Sequence, residues 1–497
     1  MTETQRKVGF VVCLVTIVLA LLDLQIVSAA TVPIVRDLDP AHGIDKIPWL
    51  VSAYALASAA MLPLYGKLCD VFGPKRVFTA AIATFLLGSA LCGAAQSMTQ
   101  LIAARAVQGL GGGGLMSITM VVIAHLRGPE DRGGSDQGTN TGGLVAGGAM
   151  AIGPWIGGLL ADHANWRWIF YVNVPIGLAV LATAALALHL PEQHVRRPLD
   201  YLGAGLAAAF SSALLLMTDW GGKKYAWTSP EILALALTSA VTLALFLWRQ
   251  VRAPEPVLPL SLFKVRELRV GFAVQAILGG AMMCAIYYVL VYLQVARGIA
   301  SSSAGLYLVP LAAGLAASGL LTGPLTARGW SARTFTLSGT ATAALAFALL
   351  ATTTGPDTSL WLIRGELLLA GAGFGQLVGR LILLVQDSAP RHQLGVATTA
   401  VRFFQTLGNA LGTAVFGSVL ARLYAAHGPG GDITALARLT GASRADGIRA
   451  FVEATQVVFW GGAALMALAA LLALRLPKAG DTKGTAAPPR ETEPVAA

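Results

Sequence analysis

Long apolar runs alternate along this chain with short polar and charged links. Runs of about 18 to 26 residues, each long enough to cross a hydrocarbon core of about 30 Å, lie near Val8–Val35, Trp49–Tyr65, Val77–Ala95, Leu101–His125, Thr141–Leu160, Phe170–His189 and Tyr201–Trp220. The series continues near Glu231–Trp248, Val270–Leu293, Ala304–Leu325, Phe335–Thr354, Leu360–Val385, Gly395–Ala421 and Phe451–Leu474. The runs are continuous rather than alternating. Lipid offers no partner to backbone N–H and C=O groups, so such runs are helices. The pattern predicts an all-α polytopic membrane protein with about fourteen spans. The first run is too long for a signal peptide, lacks a small-residue cleavage site, and carries Asp23 in its apolar body.

The runs repeat. The link after the second span reads Gly66 to Arg76, and a degraded version, Gly323 to Arg333, follows the tenth. The fourth span opens Leu101-Ile102-Ala103-Ala104-Arg105 and turns glycine-rich at Gly109–Gly114; the twelfth opens Leu360-Trp361-Leu362-Ile363-Arg364 and carries Gly371, Gly373 and Gly375. Parallel repeats of six spans are a transporter architecture. The expected organisation is a six-helix bundle over 1–195, two additional helices with flanking cytoplasmic segments over 196–268, a second six-helix bundle over 269–477, and a disordered cytoplasmic tail over 478–497.

Composition agrees. Apolar residues make up 55% and charged ones 12%, against about 25% charged in soluble domains. With the N-terminus inside, roughly 21 Lys and Arg fall on inner segments and about ten on outer ones, so both termini are expected in the cytoplasm. The net charge of +10 then belongs with anionic lipid headgroups, not nucleic acid. Cys13, Cys69, Cys92 and Cys284 have no paired spacing, and the seven His are scattered; neither set makes a metal or catalytic constellation. No phosphate-binding loop occurs, and the glycine run at 109–114 follows no strand, so no cofactor is expected.

Four groups of residues carry chemistry. Asp23 lies at membrane depth, where a carboxylate needs a partner, water or a proton. Arg105, Gln108, Gly109 and Gly112 share one helical face, with Arg105 either marking an ion path or reaching back to the surface. In the link after the second span, Gly66 and Gly73 allow close approach and a tight turn, Asp70 can cap a helix start, and Lys75 and Arg76 face anionic lipid. In the fifth span, Gly148, Gly153, Pro154, Gly157 and Gly158 allow close packing and a kink. Counted from the span ends, Asp23, Arg105, Arg364 and Glu366 fall in one layer. That layer reads as a charge-coupled gate, with Glu366 either neutralising Arg364 or titrating in its own right. Arg380 and Arg402, nearer the inner ends, are explained by snorkelling.

These segments, with Trp166–Phe170 and Asn173–Gly177, resemble the fourteen-span drug:proton antiporters of the major facilitator superfamily. The resemblance implies proton-coupled efflux of an amphiphilic or cationic small molecule across the plasma membrane by a monomer contacting protons and membrane lipids. It gives Asp23, Arg105 and Glu366 as coupling candidates, the 66–76 loop as a conformational latch, and the fifth-span motif as a mark of antiport. Val71 and Pro74 stand where the family often has Arg. Export of an endogenous metabolite, siderophore or lipid would use the same scaffold. A non-transporting receptor or an enzyme would need a soluble domain or a catalytic cluster that the chain does not carry.

Overall fold

A computed structural model describes residues 3–29, 31–39, 46–126, 165–188, 190, 199–222, 224–429, 436 and 440–477. Its first part contains α1 (Glu3–Ala29), α2 (Thr31–Leu38), α3 (Ile47–Phe72), α4 (Pro74–Ala94), α5 (Met98–Leu126), α6 (Trp168–Tyr171) and α7 (Asn173–Ala187). A hairpin follows, α8 (Tyr201–Trp220) and α9 (Pro230–Arg252). The second part contains α10 (Arg266–Met283), α11 (Val289–Val295), α12 (Ser301–Ala304), α13 (Val309–Ala327), α14 (Ala332–Thr353), α15 (Leu360–Ser388), α16 (Leu394–His427) and α17 (Gly441–Ala473). A π turn over Cys284–Tyr288 joins α10 to α11 within one continuous span.

Among the described residues, twelve helices are long and apolar enough to cross a membrane, two fewer than expected. The predicted fifth span, with its whole glycine–proline motif, lies outside the described residues, as does the 478–497 tail. The predicted thirteenth is α16, 34 residues long. Arg402, Gln405 and Asn409 punctuate its middle, and it is not one of the twelve.

Glycine placement explains the internal repeat. In α5, Gly109 and Gly113 lie against the α3 backbone at Tyr54 and Ser58, while Gly111 lies against α4 at Ala81 and Phe85. In α15, Gly371 and Gly375 meet α13 at Leu311 and Leu315, and Gly373 meets α14 at Ala343. Each glycine-rich helix is thus clasped on two sides, because a Cβ at these points would collide with a neighbouring backbone. Small residues allow such close packing in lipid, where dispersion contacts replace the hydrophobic effect. Gly371→Val is expected to lower stability by about 3 kcal/mol or more through overpacking against Leu311, read as a fall in thermal midpoint of the purified protein.

The two bundles meet mainly through α16 against α3, with further contact to α5. Halfway along α16, Gly408 sits on Ala276 and Gly412 on Gly280 of α10. The α8–α9 hairpin covers this junction, with α8 touching both α3 and α16.

Candidate functional site: a buried charge cluster and an inter-bundle latch

Asp23 and Arg105 meet inside the first bundle. Arg105 Nη1 donates to Asp23 Oδ2 at 2.7 Å, and both side chains are essentially solvent-free. Gln108 Nε2 and Asn173 Nδ2 donate to Asp23 Oδ1 at 2.7 and 3.0 Å. Arg105 Nη1 also donates to Gln108 Oε1 at 2.7 Å, and its Nε to the Leu50 carbonyl at 3.2 Å. Its guanidinium lies 4.3 Å from the centroid of the Tyr54 ring. Ser89 Oγ accepts from Gln108 and Asn173 and donates to the Phe170 carbonyl. The helical spacing of Arg105 and Gln108 delivers both to one carboxylate. Hydrogen bonds around the whole cluster offset its desolvation. Sequence reasoning gave no role to Ser89, and none to Asn173 beyond its place in the Asn173–Gly177 run; an Asn at the head of an apolar span was the available signal.

At one end of the molecule the 66–76 loop grips the second bundle. Asp70 Oδ1 accepts from the Gly395 N–H at 2.7 Å and Oδ2 from Val396 N–H at 3.0 Å. Those amides are the unsatisfied first-turn donors of α16, where the helix dipole favours a carboxylate. Asp70 therefore caps a helix some 325 residues away in sequence, not the adjacent α4. Gly66 lets α3 press on α16, since a Cβ there would strike Val396 and Thr399. Gly73, at φ 83°, makes the break between α3 and α4. Lys75 Nζ donates to the Ala185 carbonyl at the end of α7, at 2.8 Å, while Lys67 pairs with Glu255, beyond α9, at 2.5 Å. Gln386 of α15 donates to the Met120 carbonyl of α5 at 3.1 Å. The bundles are closed together at this end.

The second-half charges do not join the first. Glu366 is buried, accepts from Thr353 Oγ1 at 2.6 Å through Oε1, and has no hydrogen-bond partner at Oε2. It forms no ion pair with Arg364. Residues two apart on a helix point about 200° apart, and the Arg364 guanidinium stacks instead over Tyr307 and Trp361, at 4.6 and 4.5 Å. The expected four-charge layer is therefore one buried pair in the first half, with Glu366 buried apart from it in the second and Arg364 turned toward Tyr307 and the exposed Trp361. Nor do Arg380 and Arg402 simply snorkel. Arg380 donates to Thr326 Oγ1 and lies over Phe335; Arg402 donates to Gln405 at 2.8 Å and contacts Met116 Sδ of α5 at 3.0 Å.

At the opposite end from the latch, Arg167 Nη1 and Trp166 Nε1 donate to Asp37 at 2.6 and 3.0 Å, and Arg167 Nη2 to the Ala95 carbonyl at 3.0 Å. The Arg167 hydrogen bond, then that of Trp166, holds the Asp37 carboxyl below its usual range. The Trp166–Phe170 run is thus a clasp between links.

Among the described residues, twelve helices long and apolar enough to span a membrane, with a charge pair buried between them, describe a polytopic membrane protein. Residues 13–413 match the Major Facilitator Superfamily. The chain belongs to that superfamily. It is 32% identical to multidrug transporter protein MdtP of Bacillus subtilis over 84% of this chain and 76% of that one. Multidrug resistance protein 3 of Bacillus subtilis is likewise 32% identical, over 85% and 81%. An uncharacterized MFS-type transporter of Mycobacterium tuberculosis is 33% identical over 84% of this chain, which spans only 60% of that relative's length. The fold is also that of the human organic anion transporter MFSD10, with a TM-score of 0.64 at 16% identity over 95% of this chain and 100% of that one. The proton:xylose symporter XylE matches at 0.64 and 13% over 96% of each.

Proposed function

We propose that this protein is a proton-coupled antiporter of the fourteen-span drug-efflux type, exporting amphiphilic small molecules across the plasma membrane. The observation that carries the coupling is the Asp23–Arg105 pair, the membrane-depth carboxylate held by three side-chain donors. A proton arriving at Asp23 cancels the charge that holds Arg105, Gln108 and Asn173, and so frees the helices that bear them. Protonation then favours one facing state and substrate the other, which yields exchange when the two compete. The names of the Bacillus subtilis relatives support drugs as the cargo; a metabolite, siderophore or lipid would need the same machinery. The partition into bundles 1–195 and 269–477, joined by the 196–268 hairpin, is part of this reading. So is a count of fourteen, reached by adding α16 and the Thr141–Leu160 run to the twelve.

The direct test is reconstitution into vesicles with an acid interior. Adding ethidium outside is expected to release internal protons, and a protonophore to stop ethidium accumulation. Absence of proton movement during ethidium transport excludes antiport.

Orientation is tested separately. The latch is assigned to the cytoplasmic side, both termini with it. Single cysteines replacing the exposed Thr228 and Asp357 are expected to react with an impermeant maleimide on intact cells, and one replacing Arg328 only after permeabilisation. The reverse pattern inverts the topology.

Glu366 is assigned a structural rather than a coupling role, because it faces Thr353 within the second bundle and balances no cation among the described residues. Glu366→Gln fills the same space and can keep the Thr353 bond. It is expected to change proton-driven transport by less than about threefold and stability by less than about 1 kcal/mol, read from initial rates and thermal midpoint. A loss above tenfold at unchanged stability returns Glu366 to the coupling pathway.

A further inference from the structure

Residues 253–265 join the hairpin to the second bundle, between the end of α9 at Arg252 and the start of α10 at Arg266. Three prolines in six residues, Pro254, Pro256 and Pro259, fix backbone φ there and stiffen the segment. A 3-10 turn over Leu260–Lys264 completes it. At its root the segment is tied to the hairpin. The Leu258 N–H donates to Oε1 of the buried Gln250 of α9, at 2.9 Å. Next to Gln250, Arg249 Nε donates to Asp200 Oδ1 at 2.9 Å, and Asp200 in turn caps α8 through the Gly203 N–H. Strap, α9 and α8 are thereby held together at this end.

The strap then reaches both helices that the latch joins. Leu258 and Leu262 are buried in one apolar core with Phe246 of α9, Phe272 of α10 and Val396 and Ala400 of α16. Its charged contact with α3 is the Lys67–Glu255 pair. That pair borders a cavity of about 310 Å³, lined by Pro254, Pro256 and Leu260 of the strap and by Asp70, His392 and Gln393 at the latch. A contact beside an open space can part without unpacking a core. When α3 and α16 separate here, the strap cannot keep both. Leaving α16 would expose two buried leucines to water. Leaving α3 breaks one ion pair whose Glu255 side chain is already 25% exposed, and water then solvates both charges.

We propose that this strap is a second lock on the latch end, through which the α8–α9 hairpin sets the balance between facing states. Lys67–Glu255 is its release contact, and Gln250 holds the strap in reach of Lys67. The lock acts beside the Asp70 cap and gives the two additional helices a role in gating. It deepens the efflux reading and rests on that reading for two facing states, though not for the cargo or the proton.

The test uses the purified full chain in lipid nanodiscs, with spin labels at Phe72 and Arg391 and the buried native cysteines left in place. Glu255→Gln is expected to raise the ratio of open to closed latch ends about fivefold. Gln250→Leu, at a side chain with no hydrogen bond to α3 or α16 among the described residues, is expected to raise it about threefold. In the double variant the ratio stays at that of Glu255→Gln alone, because the strap can release only once. If Gln250→Leu does not fold, replacing Pro254 and Pro256 by Gly slackens the strap without removing a bond and is expected to act in the same direction. An unchanged distance distribution in Glu255→Gln overturns the proposal. So does full additivity of the two variants, or a fall in thermal midpoint for Gln250→Leu with the distribution unchanged, which makes the hairpin a cover only. The two readings fail separately. A shifted balance in a protein without proton-driven ethidium export removes efflux and leaves the lock, whereas export with an unshifted balance in the strap variants removes the lock and leaves efflux.

Discussion

Asp23→Asn is expected to abolish proton-driven transport and to destabilise the protein by about 3–5 kcal/mol, the cost of stranding one member of a buried ion pair. Asn has the size of Asp without its charge, and size alone would make the replacement silent. The geometry argues otherwise. Arg105 donates to one oxygen of Asp23, and Gln108 and Asn173 to the other. An amide turns one of these acceptors into a donor, so at least one existing donor meets another N–H. Arg105 also loses its only carboxylate among the described residues while remaining buried. The double variant Asp23→Asn with Arg105→Gln removes both charges and is expected to recover about 2–3 kcal/mol relative to additivity. Thermal unfolding of the four proteins gives that coupling, and vesicles matched for folded protein give transport. Full proton-driven transport by the folded single variant eliminates Asp23 from coupling.

Asp70→Asn is expected to shift the balance between facing states by about tenfold toward opening at the latch end. Asp70 contributes a full negative charge and two acceptors to the first turn of α16. A charge at a helix N-terminus is worth up to about 2 kcal/mol in partly buried geometry, and an amide keeps only one acceptor and no charge. About 1.4 kcal/mol corresponds to the tenfold shift. Spin labels at the exposed positions Phe72 and Arg391 measure it as a loss of the short-distance population. The fold should survive, because neither bundle's core contains Asp70. An unchanged distance distribution means that the Lys67–Glu255 pair and the Gln386–Met120 contact suffice to hold the latch.

Much of this architecture is legible in the sequence because lipid imposes a simple rule. Every spanning segment must be helical and apolar, so span positions follow from composition along the chain. The repeat is legible for a similar reason: glycines at 109, 111 and 113 and at 371, 373 and 375 are placed for backbone contact on both sides of a helix. Arg105 and Gln108 could be assigned a common face from spacing alone. What spacing could not supply is depth and partnership across helices. Asp23, Arg105, Arg364 and Glu366 could be ranked by distance from span ends, yet the azimuth of each helix decides which charges meet. Glu366 turns toward Thr353 and Arg364 toward two rings. Asp70 shows the same limit, since a residue that reads as a cap for the next helix caps one in the other bundle.

The glycine contacts at the middle of α16 give that helix the geometry of a lever. Its 34 residues make a rod about 50 Å long. Gly408 and Gly412, which rest on Ala276 and Gly280, sit near its midpoint. Small side chains leave a smooth, narrow bearing surface there. A tilt of about 10° about this fulcrum carries each tip roughly 4 Å, in opposite senses. One tip is the end that Asp70 grips. Letting go at that end therefore swings the far end at His427 the other way, so a rigid helix alone can open one mouth while narrowing the other.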